Sequence, residues 1–483
     1  MNKFFKVSFL GLALSAVVLL SSCSDDPALP DNLANFQSDT QGLAASETDL
    51  TVNLTFVRAV DVAGNLVIDF TPTGVEYGTD FTTDPAAVNN SITIPVAAGA
   101  TSASFKVTKT NTTGLQGDEK IVFTLQTVAD GLLLGDKKTF TLSFSEIIAS
   151  SATVNVDGGG ATYPNHVFID FSGNRQTAVA RNTWDLGFAS AGDQFRVVLN
   201  SANNMLVRAI DKNDLTTVTA ADTTGFAAQL SVGAIFGIIA TEDPSDYPSW
   251  LNQTTTWMDD PKGDLTKTAI ASVSATDSEN KVYIVNRGNG PGSTALGWKK
   301  IRVIRNGANY TLQHADIGSS TFQTLTITKN SAARFQFASL ASNSVVNVEP
   351  NVGDWDIEWT AFTNAIPTGG PTDPYIPYAY QDMIVSNVST VSTAQVLTSV
   401  SSYEAFNEAS LASITLNNNN QILIGSSWRS TGPPPAPIGQ KTDRFYVVKD
   451  GAGNVYKVQF TALTTNGERG KPQLKFDLVK KGS

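Results

Sequence analysis

Leu50, Val52, Leu54 and Phe56 are separated by polar residues, and Leu66, Ile68 and Phe70 repeat the pattern a short loop later. In an extended chain successive side chains point to opposite faces, so a period of two puts the apolar groups on one side of a strand. Bounded by Gly, Asn, Pro and Asp, such runs predict antiparallel strands with one face in a core. Helical periodicity is scarce, and Ser402 to Leu411 is its best stretch. The chain is therefore expected to be all-β.

The first residues carry a different message. Lys3 and Lys6 precede an apolar stretch from Val7 to Leu20, and Leu20-Ser21-Ser22-Cys23 closes it. The stretch is short for a bilayer span and no stop-transfer pattern follows, so residues 1–22 read as a cleaved signal. Small residues ending on cysteine resemble the lipobox of bacterial lipoproteins, which implies acylation of Cys23. Ser24, Asp25 and Asp26 resemble the acidic tag of surface lipoproteins of Bacteroidetes, which implies the outer membrane and exposure at the cell surface. Residues 23–39 are then a polar tether. Cys23 is the only cysteine among 483 residues, so cysteine nucleophiles, iron–sulfur clusters and thiolate zinc sites are excluded. The net charge is −11, and with no basic cluster the chain is not expected to bind nucleic acid.

Residues 40–149 form the first predicted domain. Tyr77-Gly78-Thr79-Asp80-Phe81, Ile92-Thr93-Ile94-Pro95, Gly99 to Phe105 and Gly117-Asp118-Glu119 lead to the runs Ile121 to Leu125 and Phe140 to Phe144. That order resembles a Calx-β domain, an immunoglobulin-like sandwich. Calcium-binding members gather carboxylates at one end, because a hard cation takes several oxygen ligands. Here the corresponding loop reads Lys109-Thr110-Asn111-Thr112, which argues for a spacer.

The remainder repeats itself. Val167-Phe168-Ile169-Asp170-Phe171 leads to Trp184-Asp185-Leu186-Gly187-Phe188, and Arg334-Phe335-Gln336-Phe337 leads to Trp355-Asp356-Ile357-Glu358-Trp359. Lys281 to Val285 matches Arg444 to Val448, Trp298 to Val303 matches Val455 to Phe460, and Phe322 to Ile327 matches Pro472 to Leu478. Two domains are expected, 152–330 and 331–483, with Gly158-Gly159-Gly160 as a linker. Each copy resembles the HmuY family of Bacteroidetes surface lipoproteins, most closely along Asp443 to Thr461. The resemblance implies antiparallel β domains, capture of haem, and its delivery to a TonB-dependent outer-membrane transporter. Family members clasp haem iron between histidines or methionines. Here Ser426-Ser427-Trp428-Arg429 stands where one ligand histidine belongs.

The axial ligand candidates are therefore Met258, His314 and His166, all before residue 330, since imidazole and thioether both ligate haem iron. Trp257, Tyr375, Tyr378, Tyr380 and Trp428 are candidates for a contact surface, in segments where aromatic residues lie beside prolines or polar loops. The repeated Trp184 and Trp355 read as core anchors. Gly292 to Gly297 before Trp298-Lys299 is a near miss to a phosphate loop, with no helix behind it to hold phosphate. No nucleophile elbow or catalytic pair stands out, so an enzyme is not expected. The second reading is a cofactor-free surface module using the same β scaffold for protein or glycan contacts.

Overall fold

The computed structural model describes residues 31–43, 47–110, 119–144, 149–369, 374–432 and 437–482. Cys23, the signal segment, Asn111-Thr112 and Pro433 to Pro435 lie outside the described residues. The first unit is a sandwich of two five-stranded sheets. One runs Phe81–Asp84, Ser102–Lys109, Asp49–Phe56, Leu33–Phe36, Leu133–Leu134, and the other Thr40–Gly42, Thr139–Ser143, Lys120–Thr127, Gly64–Thr73, Ser91–Val96. The alternating residues do what their period requires. Leu50, Val52, Leu54, Leu66, Ile68, Phe105, Phe123 and Phe140 fill the space between the sheets. The sandwich reaches further back than residue 40, because Leu33–Phe36 ladders onto Asp49–Phe56 and so leaves the expected tether.

The second unit corrects the expected boundary at residue 330. Strands from both sides of it share three of the four large sheets. Asn165–Asp170, with its hairpin partner Arg175–Ala180, pairs with Ile357–Pro367 rather than with the first Trp-Asp strand. Reciprocally, Phe335–Ser339 pairs with Leu186–Ala189. Ser151–Asn155 closes the sheet of Gln473–Lys480, Val455–Ala462, Arg444–Lys449 and Ser392–Leu397. Gln323–Ile327 closes the matching sheet of Asn309–Ala315, Trp298–Asn306, Val282–Asn286 and Leu206–Ile210. The place of Gln323–Ile327 therefore corresponds to Ser151–Asn155, not to Pro472 to Leu478. A ladder of backbone hydrogen bonds carries no residue code, so two similar openings can exchange partners without altering either sequence pattern.

The Trp-Asp pairs pin this exchange. Asp185 accepts the Leu340 amide at 2.7 Å, and Asp356 accepts the Phe171 amide at 2.8 Å. Trp184 meets Phe337 edge-on at 4.7 Å between ring centroids, and Trp355 meets Phe168 at 5.1 Å. Each aromatic anchor thus rests on the opening strand of the other half. The triple glycine is packed rather than a linker. A Cβ on Gly158 would lie 2.4 Å from the Trp359 ring and 2.2 Å from the Gly470 carbonyl oxygen.

Two local elements depart from the sequence reading. The Ser402 to Leu411 segment holds only the start of a 3-10 turn, Glu408–Ser413. An α-helix forms instead at Val232–Thr241, capped by the Ser231 hydroxyl on the Ala234 amide. Its sequence is apolar all round, so it shows no helical stripe. Val232 and Ile235 enter the core, which leaves Phe236 outside.

Candidate functional site

A bulge sets the geometry of the main cleft. Ile357–Pro367 and Tyr375–Ser386 form a long antiparallel pair whose register shifts between Thr360 and Phe362. The extra residues are Gln381 and Asp382, and Asp382 takes a positive φ of 53°, uncommon for a residue other than glycine. Bulges bend a strand and re-aim its side chains. Here the bulge turns Asp382 fully inward, where Arg469 pairs with it, Arg429 Nε lies 3.8 Å away and the Tyr163 hydroxyl donates at 3.2 Å. Burial first, then Asp382, holds the Tyr163 hydroxyl well above its ordinary range. Burial likewise lowers the Arg429 pKa, which Asp382 partly restores.

Before the bulge, Tyr378 and Tyr380 stand two residues apart and so share a face. Their rings lie 5.0 Å apart, and Phe236 of the helix meets Tyr378 at 5.2 Å. This aromatic row borders two adjoining hollows that share Asn204, Asn289, Tyr378 and Ala379. One, of about 470 Å³, lies between the helix and the loop that ends at Trp298. The other, of about 350 Å³, is lined by Tyr380, Arg181, Arg429 and Arg469. Together they have the scale of a small-molecule site.

Arg181 gives the second hollow its charge. It is buried, donates to the Ala202 carbonyl at 2.7 Å, and has no acidic partner among the described residues. Its Nε is buried without a partner among the described residues, and burial lowers its pKa. Three guanidiniums against the single carboxylate of Asp382 leave a positive hollow. Guanidinium forks suit carboxylate and phosphate groups.

The expected ligand residues lie elsewhere. His166 and Met258 line a separate interior cavity of about 150 Å³. The His166 ring is fully engaged: Nε2 accepts from Trp184 Nε1 at 3.2 Å, while Nδ1 faces Glu358 and lies 3.0 Å from Thr360 Oγ1. Met258 is buried beside Trp257. His314 is buried on Asn309–Ala315, bonded to Asn343 at 2.8 Å, and does not line that cavity. Burial lowers its pKa.

A tetrapyrrole does not fit the interior cavity. The volume is below that of ordinary ligand sites, and the His166 lone pair already takes the Trp184 proton. In the open cleft, ring and carboxylate groups are matched by tyrosines and arginines, but no imidazole or thioether lines it. Burial and then Tyr378 push the Tyr380 hydroxyl pKa up. Among the described residues no cluster of His, Cys, Asp and Glu could hold a metal ion.

Of the expected contact residues, Tyr378 and Tyr380 line the cleft, and Tyr375 stands exposed beyond it. Trp257 and Trp428 are core residues, at 4 % and 1 % exposure. Trp257 stacks on Trp250, and Trp428 stacks on Phe460 and donates to the Asp382 carbonyl. Arg181, Asp382, Asn289 and Arg469 escaped the sequence reading because no local pattern marks them. Arg429 was visible only as the neighbour of Trp428.

A family model described as HmuY protein matches residues 162–476 in one span. No curated protein matches the sequence. Similar solved structures include the apo form of a Calx CBD1 domain, 13% identical, covering 24% of this chain and 96% of that one with a TM-score of 0.21. A two-domain protein of unknown function from Bacteroides fragilis is 8% identical over 35% of this chain and 65% of that one, with a TM-score of 0.18. A putative carbohydrate binding protein from Bacteroides ovatus is 9% identical over 93% and 99%, with a TM-score of 0.17. Overlaps this slight carry no functional information.

Proposed function

Since the chain belongs to the HmuY family, we propose that it is a non-enzymatic binding protein that captures a flat, carboxylate-bearing tetrapyrrole in the arginine- and tyrosine-lined cleft. Haem and its iron-free relatives belong to that class. The observation that carries the reading is the meeting of Arg181, Arg429 and Arg469 beside the Phe236–Tyr378–Tyr380 row. Aromatic faces take the ring by stacking and the guanidiniums take its carboxylates. Recognition is by ring and carboxylate, with no histidine or methionine on the metal. On the same reading the protein is anchored by lipid at Cys23 on the outer membrane, faces outward, and passes its ligand to a TonB-dependent transporter.

Absorption titrations with haemin and with iron-free protoporphyrin test this. Both are expected to bind with affinities within a few-fold. Arg181→Ala should weaken both by about tenfold or more, the value of one charge-assisted hydrogen bond of roughly 1.5–3 kcal/mol. Binding of haemin alone, lost on Met258→Ala, would replace this reading with axial ligation. Binding of neither would favour the cofactor-free module.

A further inference from the structure

The interior cavity lies between the two four-stranded sheets, at the exchange itself. Of its lining residues only Ser389 is exposed. Phe168, Trp184, Phe337, Met205 and Met258 supply an apolar wall. A space of this size beside apolar side chains accepts a single benzene-sized ring.

Much of the remaining wall is polar, and one ion pair in it is incompletely satisfied. Arg334 Nη2 donates to Glu349 Oε1 at 2.8 Å, and both side chains face the cavity. Glu349 Oε2 and Arg334 Nε are buried with no partner among the described residues. An acceptor and a donor are therefore left open side by side in a buried ion pair, against the rule that buried polar atoms are paired. A hydroxyl answers both, because it gives one hydrogen bond and takes another. An aromatic ring answers the apolar wall of Phe168, Trp184 and Phe337.

We propose that this cavity is a second binding site, distinct from the cleft, for a small neutral phenol. The ring fills the space against Phe168, Trp184 and Phe337. Its hydroxyl donates to Glu349 Oε2 and accepts from Arg334 Nε. The site does not depend on the tetrapyrrole reading, since it shares no lining residue with the hollow that holds Arg181.

Calorimetric titration of the full mature chain with phenol, and with toluene as the ring lacking a hydroxyl, tests the assignment. One equivalent of phenol should bind, at least tenfold tighter than toluene. Glu349→Gln should remove most of that preference, because an amide at Oε2 offers a donor where the hydroxyl needs an acceptor. Val198→Phe, which adds a ring to the wall, should abolish binding of both, with circular dichroism confirming that the variant is folded. Arg181→Ala should leave phenol binding unchanged. Absence of phenol binding, equal affinity for toluene, unaltered binding in folded Val198→Phe, or loss of binding in Arg181→Ala would each overturn the proposal.

Discussion

Asp356→Asn should stabilise the protein above neutral pH and leave it unchanged in acid. Asp356 is buried, and its one charge-stabilising contact among the described residues is the Phe171 amide at 2.8 Å. The matching Asp185 has Arg287 at 2.7 and 3.2 Å. Asp356 has Asp170 and Asp450 nearby instead. Burial, then Asp170, raises its pKa well above the carboxylate range against the pull of Phe171, with Asp450 adding to the rise. A raised carboxyl pKa means the folded state keeps a proton that the unfolded state has lost. Stability is then full below the unfolded value and falls as pH rises through the folded one. Ionising the buried acid costs several kcal/mol, and the charge-assisted bond from Phe171 returns about 1.5–3 kcal/mol. Asparagine keeps an acceptor for Phe171 and carries no charge. The expected gain at pH 8 is about 2 kcal/mol, roughly 4 °C for a domain of this size, shrinking toward zero at pH 4. All seven tryptophans lie between 184 and 428, so fluorescence melts report the second unit alone. Destabilisation at pH 8, or the same gain at both pH values, would refute the argument.

The exchanged strands predict that residues 152–330 and 331–483 expressed apart are unfolded by circular dichroism, and that co-expression recovers a folded complex; a folded monomer of either piece would contradict the topology. Trp355→Ala removes a ring 1 % exposed that packs on Phe168 of the other half, and should cost about 3–5 kcal/mol in urea unfolding. Cys23→Ser should leave the protein out of the membrane fraction and unlabelled by fatty acid, and continued labelling would end the lipoprotein reading.

The strands were legible in the sequence because their cause is local. A period of two reports which side chains face a core, and it places Asp49–Phe56 and Gly64–Thr73 without reference to the rest of the chain. The two Trp-Asp segments were legible for a similar reason, since a large ring beside a buried acid makes the same demand on its surroundings wherever it recurs. Partnership was another matter. Asn165–Asp170 carries apolar residues that fit either Trp-Asp strand, and only the closed fold selects Ile357–Pro367. The cleft depended on the same closure. Arg429 and Arg469 meet where a bulge turns Asp382 inward, and Arg181, held on the Ala202 carbonyl, joins them from a distant point of the chain. Alternation measures what a residue hides from water, whereas a site is made by which distant groups are left facing one another. That second property belongs to the packing of the whole chain and has no period to read.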